Sequence, residues 1–247
     1  LFLKVEGIVL RTIDYGESNK ILTIFTRELG KIGAVARGAK KPQNRLAPVS
    51  QPFTYGYFLV SIGSGLGTIR QGEIINAFPQ LKEDIFRMAY ATYIAELLDR
   101  GTEERKASSS LFELLYEILK DIGEGLDPQI LKNIFEMKML PVLGFRPQVD
   151  GCALCGRKEG PFVFSVKEGG FLCYGCRDKD PYHLAVSEAT VRLLRLFYHL
   201  DMKRLGHINV RDSTKKELER CIGSIYDEYT GLALKSKRFL EQIEALK

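Results

Sequence analysis

The sequence predicts an α+β, multidomain protein: an N-terminal OB-fold β-barrel, then an α-helical domain carrying an inserted four-cysteine zinc module. Three observations carry this. The first 78 residues read as short β-branched and aromatic runs separated by turn signals. From about residue 81 apolar residues recur at helical spacing. Within the helical part, Cys152, Cys155, Cys173 and Cys176 make a C-x2-C pair, a gap of seventeen residues and a second C-x2-C pair. The expected division is residues 1–80 for the barrel and 81–247 for the helical domain, with the module at 150–180. An apolar content of 45% is ample for such cores.

Five strands are expected. Residues 4–13 alternate around Val5, Ile8 and Leu10, and residues 20–26 carry Ile21, Leu22, Ile24 and Phe25. Residues 31–37 carry Ile32, Ala34 and Val35, residues 53–62 are aromatic and β-branched, and residues 68–75 close the series. Five short strands in this length suggest a small closed barrel, a common host for nucleic-acid strands. Periodicity alone leaves an SH3-like barrel open. Gly63, Gly65 and Gly67 match neither the dinucleotide fingerprint nor a phosphate loop, so they read as a hairpin turn.

The helices follow. Phe86, Tyr90, Tyr93, Ile94, Leu97 and Leu98 mark the first. Ser110 with Glu113 forms a capping-box pattern opening the second, and Asp127-Pro128 opens a third that Pro141 bends or ends. After the module come a helix near residues 187–200, one from Thr214 (boxed with Glu217) to Tyr229, and a last from about Ser236. Cys221 shares an apolar stripe with Leu218, Ile222 and Ile225 and is read as core.

A C-x2-C turn sets two sulfurs side by side, and a hairpin brings a second pair opposite; four thiolates around one point are a structural zinc site. Pro161–Val166 and Phe171–Tyr174, with Gly169-Gly170 between, fit that hairpin. Four protein ligands leave no open position, so the metal is expected to fold the loop rather than react. Redox-active C-x2-C motifs are not usually duplicated at this spacing. Cysteine usage fits a reducing compartment. Neither a secretory signal nor a membrane span is legible.

The formal net charge is +5, and all of it lies in the first third: residues 1–80 hold 10 Lys/Arg against 5 Asp/Glu, and the remainder holds 26 of each. From Leu29 to Gly72 no acid occurs, while Lys31, Arg37, Lys40, Lys41, Arg45 and Arg70 fall there. A cluster of cations in an exposed loop favours a polyanion, here a nucleic acid, over a plain solvated face. Gly38 and Ala39 are expected to let a phosphate backbone approach closely. Of the nearby Phe53, Tyr55, Tyr57 and Phe58, one set is expected in the barrel core and the other facing out, where it can stack unpaired bases.

An ordered set of motifs now coincides with one family. Residues 4–10 (KVEGIVL) precede 15–20 (YGESNK); residues 36–41 (ARGAKK) precede 51–53 (QPF); residues 143–147 (LGFRP) lead into 152–156 (CALCG). This order closely resembles the RecO family of bacterial recombination mediators over essentially the whole chain, and the intact cysteine set looks like its zinc-binding branch. The resemblance implies an N-terminal OB-fold and a helical domain with a zinc module. It implies binding of single- and double-stranded DNA, annealing of complementary strands, and contact with the acidic, Phe-ended tail of the single-stranded DNA-binding protein SSB. With RecR, such proteins help RecA replace SSB, without nucleotide hydrolysis. A cytoplasmic, nucleoid-associated place with no membrane follows. On this resemblance Arg37, Lys40, Lys41 and Arg45 hold DNA phosphates, helped by Arg11, Lys20 and Lys31. Arg192, Arg195 and Lys203 share a helix face that suits either the SSB tail or plain solvent.

Two other readings compete. A sequence-specific duplex regulator would place cations on a recognition helix, whereas here they sit on strands and a loop. A protein-only adaptor leaves the acid-free stretch unexplained. Deaminase chemistry needs an H-x-E motif with P-C-x-x-C, which is absent, and His183, His199 and His207 form no cluster in sequence. The chain is not expected to be an enzyme.

Overall fold

The computed structural model describes residues 2–202 and 208–245. It divides into two compact units, residues 1–125 with 234–247, and residues 126–233.

Strands β1 (Phe2–Tyr15), β2 (Asn19–Thr26), β3 (Gly30–Ala36), β4 (Tyr55–Ser61) and β5 (Gly67–Asn76) form a closed barrel in the order β1-β2-β3-β5-β4. A single long strand closes it: β1 pairs with β4 through its first half and with β2 through its second, with a register shift between Val9 and Arg11. The β3–β5 pairing is parallel; the other pairings in the barrel are antiparallel. This is the OB-like arrangement expected, and residues 62–66 make the turn between β4 and β5. Inward positions of every strand, among them Val5, Val9, Leu22, Ile24, Ile32, Phe58, Val60 and Ile69, fill the interior. The short helix α1 (Leu46–Val49), in the β3–β4 connection, adds Leu46 and Val49 to that core.

The same unit contains α2 (Pro79–Lys82), α3 (Ile85–Gly101), α4 (Ser109–Gly123) and α8 (Lys235–Glu244), so among the described residues four helices besides α1 accompany the barrel. Asp84 caps α3 by accepting from the Phe86 and Arg87 amides. The Glu96 carboxylate on α3 accepts from the Lys235 and Ser236 amides, capping α8 from a distant helix. Arg27 joins strand to helix: its guanidinium donates to Glu6 at 2.8 Å and to Glu113, and lies over the Phe112 ring.

That pairing has a measurable signature. Chiefly the Arg27 hydrogen bond, helped by the Tyr55 hydroxyl and opposed by partial burial, holds the Glu6 carboxyl below its ordinary value. The contribution is therefore present above the unfolded glutamate pKa and is lost as pH falls through the lower folded one. Arg27→Met is expected to cost about 2 kcal/mol at pH 7. In urea titrations the gap from wild type should narrow as pH falls below about 4. A gap independent of pH would mean that packing on Phe112, not the ion pair, carries the effect.

The second unit contains α5 (Pro128–Met139), a sheet of β6 (Phe162–Ser165), β7 (Gly170–Cys173) and β8 (Leu184–Ala185) in the order β7-β6-β8, then α6 (Glu188–His199) and α7 (Asp212–Tyr229). Asp127 caps α5, with Pro128 at its first position as expected. Cys221 is fully buried, and that burial pushes its thiol up to about 12, so it packs as an apolar group.

Two expected caps differ from the structure. The helix α4 starts at Ser109, capped by the Ser108 hydroxyl, because Ser108 is extended whereas Ser110 already lies in the helix; Glu113 is drawn to Arg27 instead. Helix α7 starts at Asp212, ahead of Thr214, and Glu217 turns away to accept from the Ser187 amide and the Ser187 and Thr190 hydroxyls at the start of α6. Among the described residues no helix is long and apolar enough to cross a membrane.

Candidate metal centre and nucleic-acid interface

The four cysteines converge as their spacing requires. Their sulfurs all lie within 4.8 Å of one another, with Cys155 and Cys173 3.6 Å apart, and none is in a disulfide. A metal with thiolate bonds of about 2.3 Å in a tetrahedron sets its sulfurs about 3.8 Å apart, so this cluster has the size of a four-thiolate site. The turns that carry it close on themselves: Gly156 N donates to Cys152 O, and Cys176 N to Cys173 O. Burial works to raise the Cys152 thiol, but the backbone amides of Cys173, Cys155 and Leu154 outweigh it and bring it down to about 6. The hydrogen bonds of Cys173 and Cys155 push Cys176 up to about 12. The donor set fits a thiophilic metal ion.

The fold around the cluster fixes both pairs. Cys152 N donates to Arg157 O, and Ala153 N to Phe171 O in β7, which ties the first pair to the strand bearing Cys173. Gly170 in β7 has no room for a side chain: a Cβ there would lie 2.2 Å from Gln148 O. Phe171 packs against both Phe162 and Phe164, with ring centroids 5.6 and 5.9 Å apart. Arg195 of α6 lies over Phe162 and Phe171 and donates to Val149 O at 2.7 Å and Lys158 O at 3.3 Å. Of the residues expected to share a face with it, Arg192 is exposed beside Glu188, and Lys203 lies outside the described residues. His183 Nδ1 bonds to Asp180 O, and His199 pairs with Asp150. Neither joins the sulfur cluster; His207 lies outside the described residues.

The basic loop follows β3 and is rigidly built. Gly38 N donates to the Asn19 side chain, Lys40 N to Ser18 O, and the Asn44 side chain spans from Arg37 O to the Leu46 amide. Gly38 has φ of +70°, and a Cβ there would lie 2.5 Å from Asn44 Nδ2, so glycine is required for the loop's shape. Ala39 does not offer backbone to a ligand as expected: it is buried in the barrel core. Arg37, Lys41 and Arg45 are exposed and make no ion pair among the described residues. Lys40 meets the exposed Asp14 at 3.0 Å, a surface pair worth little and easily exchanged for a phosphate.

Arg37 and Arg45 line a groove of about 820 Å³ with Lys4, Asn44, Leu46, Tyr57, Leu59, Arg70, Gln71, Gly72 and Glu73. Lys4 and Arg70 were not among the expected site residues. The signal was present, since Lys4 alternates outward from Val5 on the first strand, but sequence order does not reveal that β1 and β5 flank β4. Lys20 is half-buried on β2, opposite Asp14. Lys31 and Arg11 are engaged elsewhere. The Lys31 ammonium, nearly buried, bonds to Asp99 O and Thr102 O, and Arg11 pairs with Asp99 at 2.7 Å. Both hold the barrel to α3.

Comparison with known proteins agrees with this architecture. Residues 2–78 match the family model described as recombination protein O N terminal, and residues 82–238 match that described as recombination protein O C terminal. Proteins named DNA repair protein RecO are similar along nearly the whole chain. That of Bacillus cereus is 55% identical over 244 residues, and those of Bacillus anthracis and Bacillus thuringiensis are 56% identical over the same length. In each case the alignment spans 99% of this chain and 98% of the relative. With both halves matched in order, the chain belongs to the recombination protein O family, RecO.

Proposed function

We propose that the protein is a recombination mediator in DNA repair, binding single- and double-stranded DNA and annealing complementary strands, including those coated by SSB. With RecR it would promote the loading of RecA. The carrying observation is the rigid loop of Arg37, Lys40, Lys41 and Arg45 beside a groove that adds Lys4 and Arg70, on the barrel of a chain whose relatives are named for DNA repair. Two complementary strands repel through their phosphates; a surface that neutralises both raises their encounter rate and leaves sequence reading to base pairing. Arg37, Lys40, Lys41 and Arg45 are the primary phosphate ligands. Lys20 is a lesser one, and Arg11 and Lys31 contribute mainly through field, being held by Asp99. The metal is zinc, one per chain, holding Cys152, Cys155, Cys173 and Cys176 and taking no part in chemistry. Residues 1–80 form the DNA-holding domain and 81–247 the domain for the metal module and protein partners, in a cytoplasmic, nucleoid-associated protein without enzymatic activity.

A tail of acidic residues ending in phenylalanine would find apolar walls at Phe162, Val186 and Val191 and cations at Lys158, Arg192 and Arg195 in a cleft of about 520 Å³, whose lining also includes Glu159 and Glu188. The test of the whole reading is annealing of two SSB-coated complementary oligonucleotides over a salt series. Acceleration that fades as salt rises is expected. Absence of acceleration by the metal-loaded protein would favour a protein-only adaptor or a duplex-DNA regulator.

A further inference from the structure

We infer that Tyr57 is a stacking platform for an unpaired base, and that it gives the groove its preference for single strands over duplex. The inference rests on the DNA-binding reading and adds to it the form of strand the groove takes.

Four aromatic residues lie close together in sequence after the basic loop, and the structure separates their roles. Phe53 and Phe58 are buried. Tyr55 is committed to structure: its ring packs against Tyr116 at 4.9 Å and Phe112 at 6.3 Å, and its hydroxyl donates to Glu6 at 2.6 Å. Burial first, and then the Glu6 carboxylate, hold that hydroxyl protonated well above its usual range. Tyr57 alone of the four lines the groove. It is half-buried, so its ring is held by the sheet rather than swinging in solvent. The Lys4 ammonium sits 4.2 Å from its ring centroid, which orients the ring and makes a cation–π contact.

Charge sorts the groove into places for phosphate and for base. Lys4, Arg37, Arg45 and Arg70 line it and suit phosphates. Glu73, directly opposite Tyr57 in the β4–β5 register, is its one carboxylate. That row repels a phosphate and suits a neutral base. A base within a duplex is stacked on both faces and cannot lie on a side chain projecting from a sheet. A base of an unpaired strand can, and such stacking is indifferent to sequence.

The chain has no tryptophan, so Tyr57→Trp creates a lone fluorescent reporter at the platform. Oligothymidylate is expected to quench its emission. An abasic oligodeoxynucleotide of equal length, with the same phosphates, and a blunt duplex are expected to bind with little quenching. Tyr57→Ala should weaken oligothymidylate binding about tenfold while duplex affinity changes less than twofold, and Tyr57→Phe should restore the single-strand preference. Equal quenching by the abasic strand, or unaltered emission while oligothymidylate binds at wild-type affinity, would overturn the inference and leave the DNA-binding reading standing. Failure of the wild-type protein to bind either DNA would sink that reading, and this one with it.

Discussion

Removal of the proposed metal is expected to unfold the β6–β7–β8 module and leave the barrel intact. The module's sheet pairs only four residues with four and two, and its small aromatic core rests on Phe162, Phe164 and Phe171. Such a sheet is marginal by itself. Structural zinc in comparable four-ligand sites contributes an apparent 10–16 kcal/mol or so, more than the whole stability of an average domain. A strong chelator should therefore open residues 148–186 to proteolysis and hydrogen exchange. The barrel has a closed hydrogen-bond ladder and its own core, and should keep its protection. Cys173→Ser, at a buried ligand on the central hairpin, should lower metal affinity by more than about 100-fold, upwards of roughly a sixth to a quarter of that binding energy. Cobalt(II) reconstitution should show the absorption of a tetrahedral thiolate site. Four cysteines in this arrangement also accept iron, so a coloured, redox-active protein as isolated would replace zinc by iron while keeping the structural role. Purified protein that holds no metal and is unmoved by chelator would end the metal proposal.

How much of this was legible in the sequence depended on the range of the forces involved. The metal cluster was, because C-x2-C spacing constrains sulfur positions whatever the rest of the chain does. So were the strands, whose inward positions alternate as a pleated sheet requires. The helix opening at Asp127-Pro128 was legible too, since a cap is satisfied within three residues. What failed was local motif reading where a distant partner outbid a near one. Glu113 and Glu217 both had the spacing of a capping box, and both carboxylates went elsewhere, to Arg27 in the turn after β2 and to the start of α6. Ala39 looked like loop and became barrel core, because the chain after β3 folds inward toward α1. The face of α5 held a similar surprise. Lys132, Asn133 and Glu136 are buried there, with Lys132 reaching Glu219 at 2.6 Å on α7. The one-dimensional charge count groups Arg11 and Lys31 with the loop cations, whereas in the fold both are bonded to Asp99. Neither the count nor the strand pattern contains Asp99, which takes both.

Reversal of the two groove arginines should show whether that separation of cations is real. Arg37→Glu with Arg45→Glu is expected to lower affinity for a single-stranded oligonucleotide by about two orders of magnitude at 0.1 M salt. The size follows from counterion release. Each phosphate contact contributes about 0.7 to the slope of log affinity against log salt for single strands, hence about fivefold at that salt, and reversal adds repulsion to the loss of two contacts. The slope itself should fall by about 1.4. Stability should move by no more than about 0.5 kcal/mol, since both side chains are exposed and free of ion pairs among the described residues. Lys31→Met should behave in the opposite way. Its ammonium satisfies Asp99 and two carbonyl oxygens at a nearly buried position, so its loss strands those acceptors and should cost about 2 kcal/mol of stability. With few phosphates to lose, its salt slope should change by less than about 0.3. Measured together by fluorescence anisotropy over a salt series and by urea unfolding, the two variants give crossed outcomes. If the Lys31 variant lost the salt slope and the Arg37, Arg45 pair kept it, the strand would run over the β1–β3 face beside α3, and the groove at Tyr57 would be vacant of DNA.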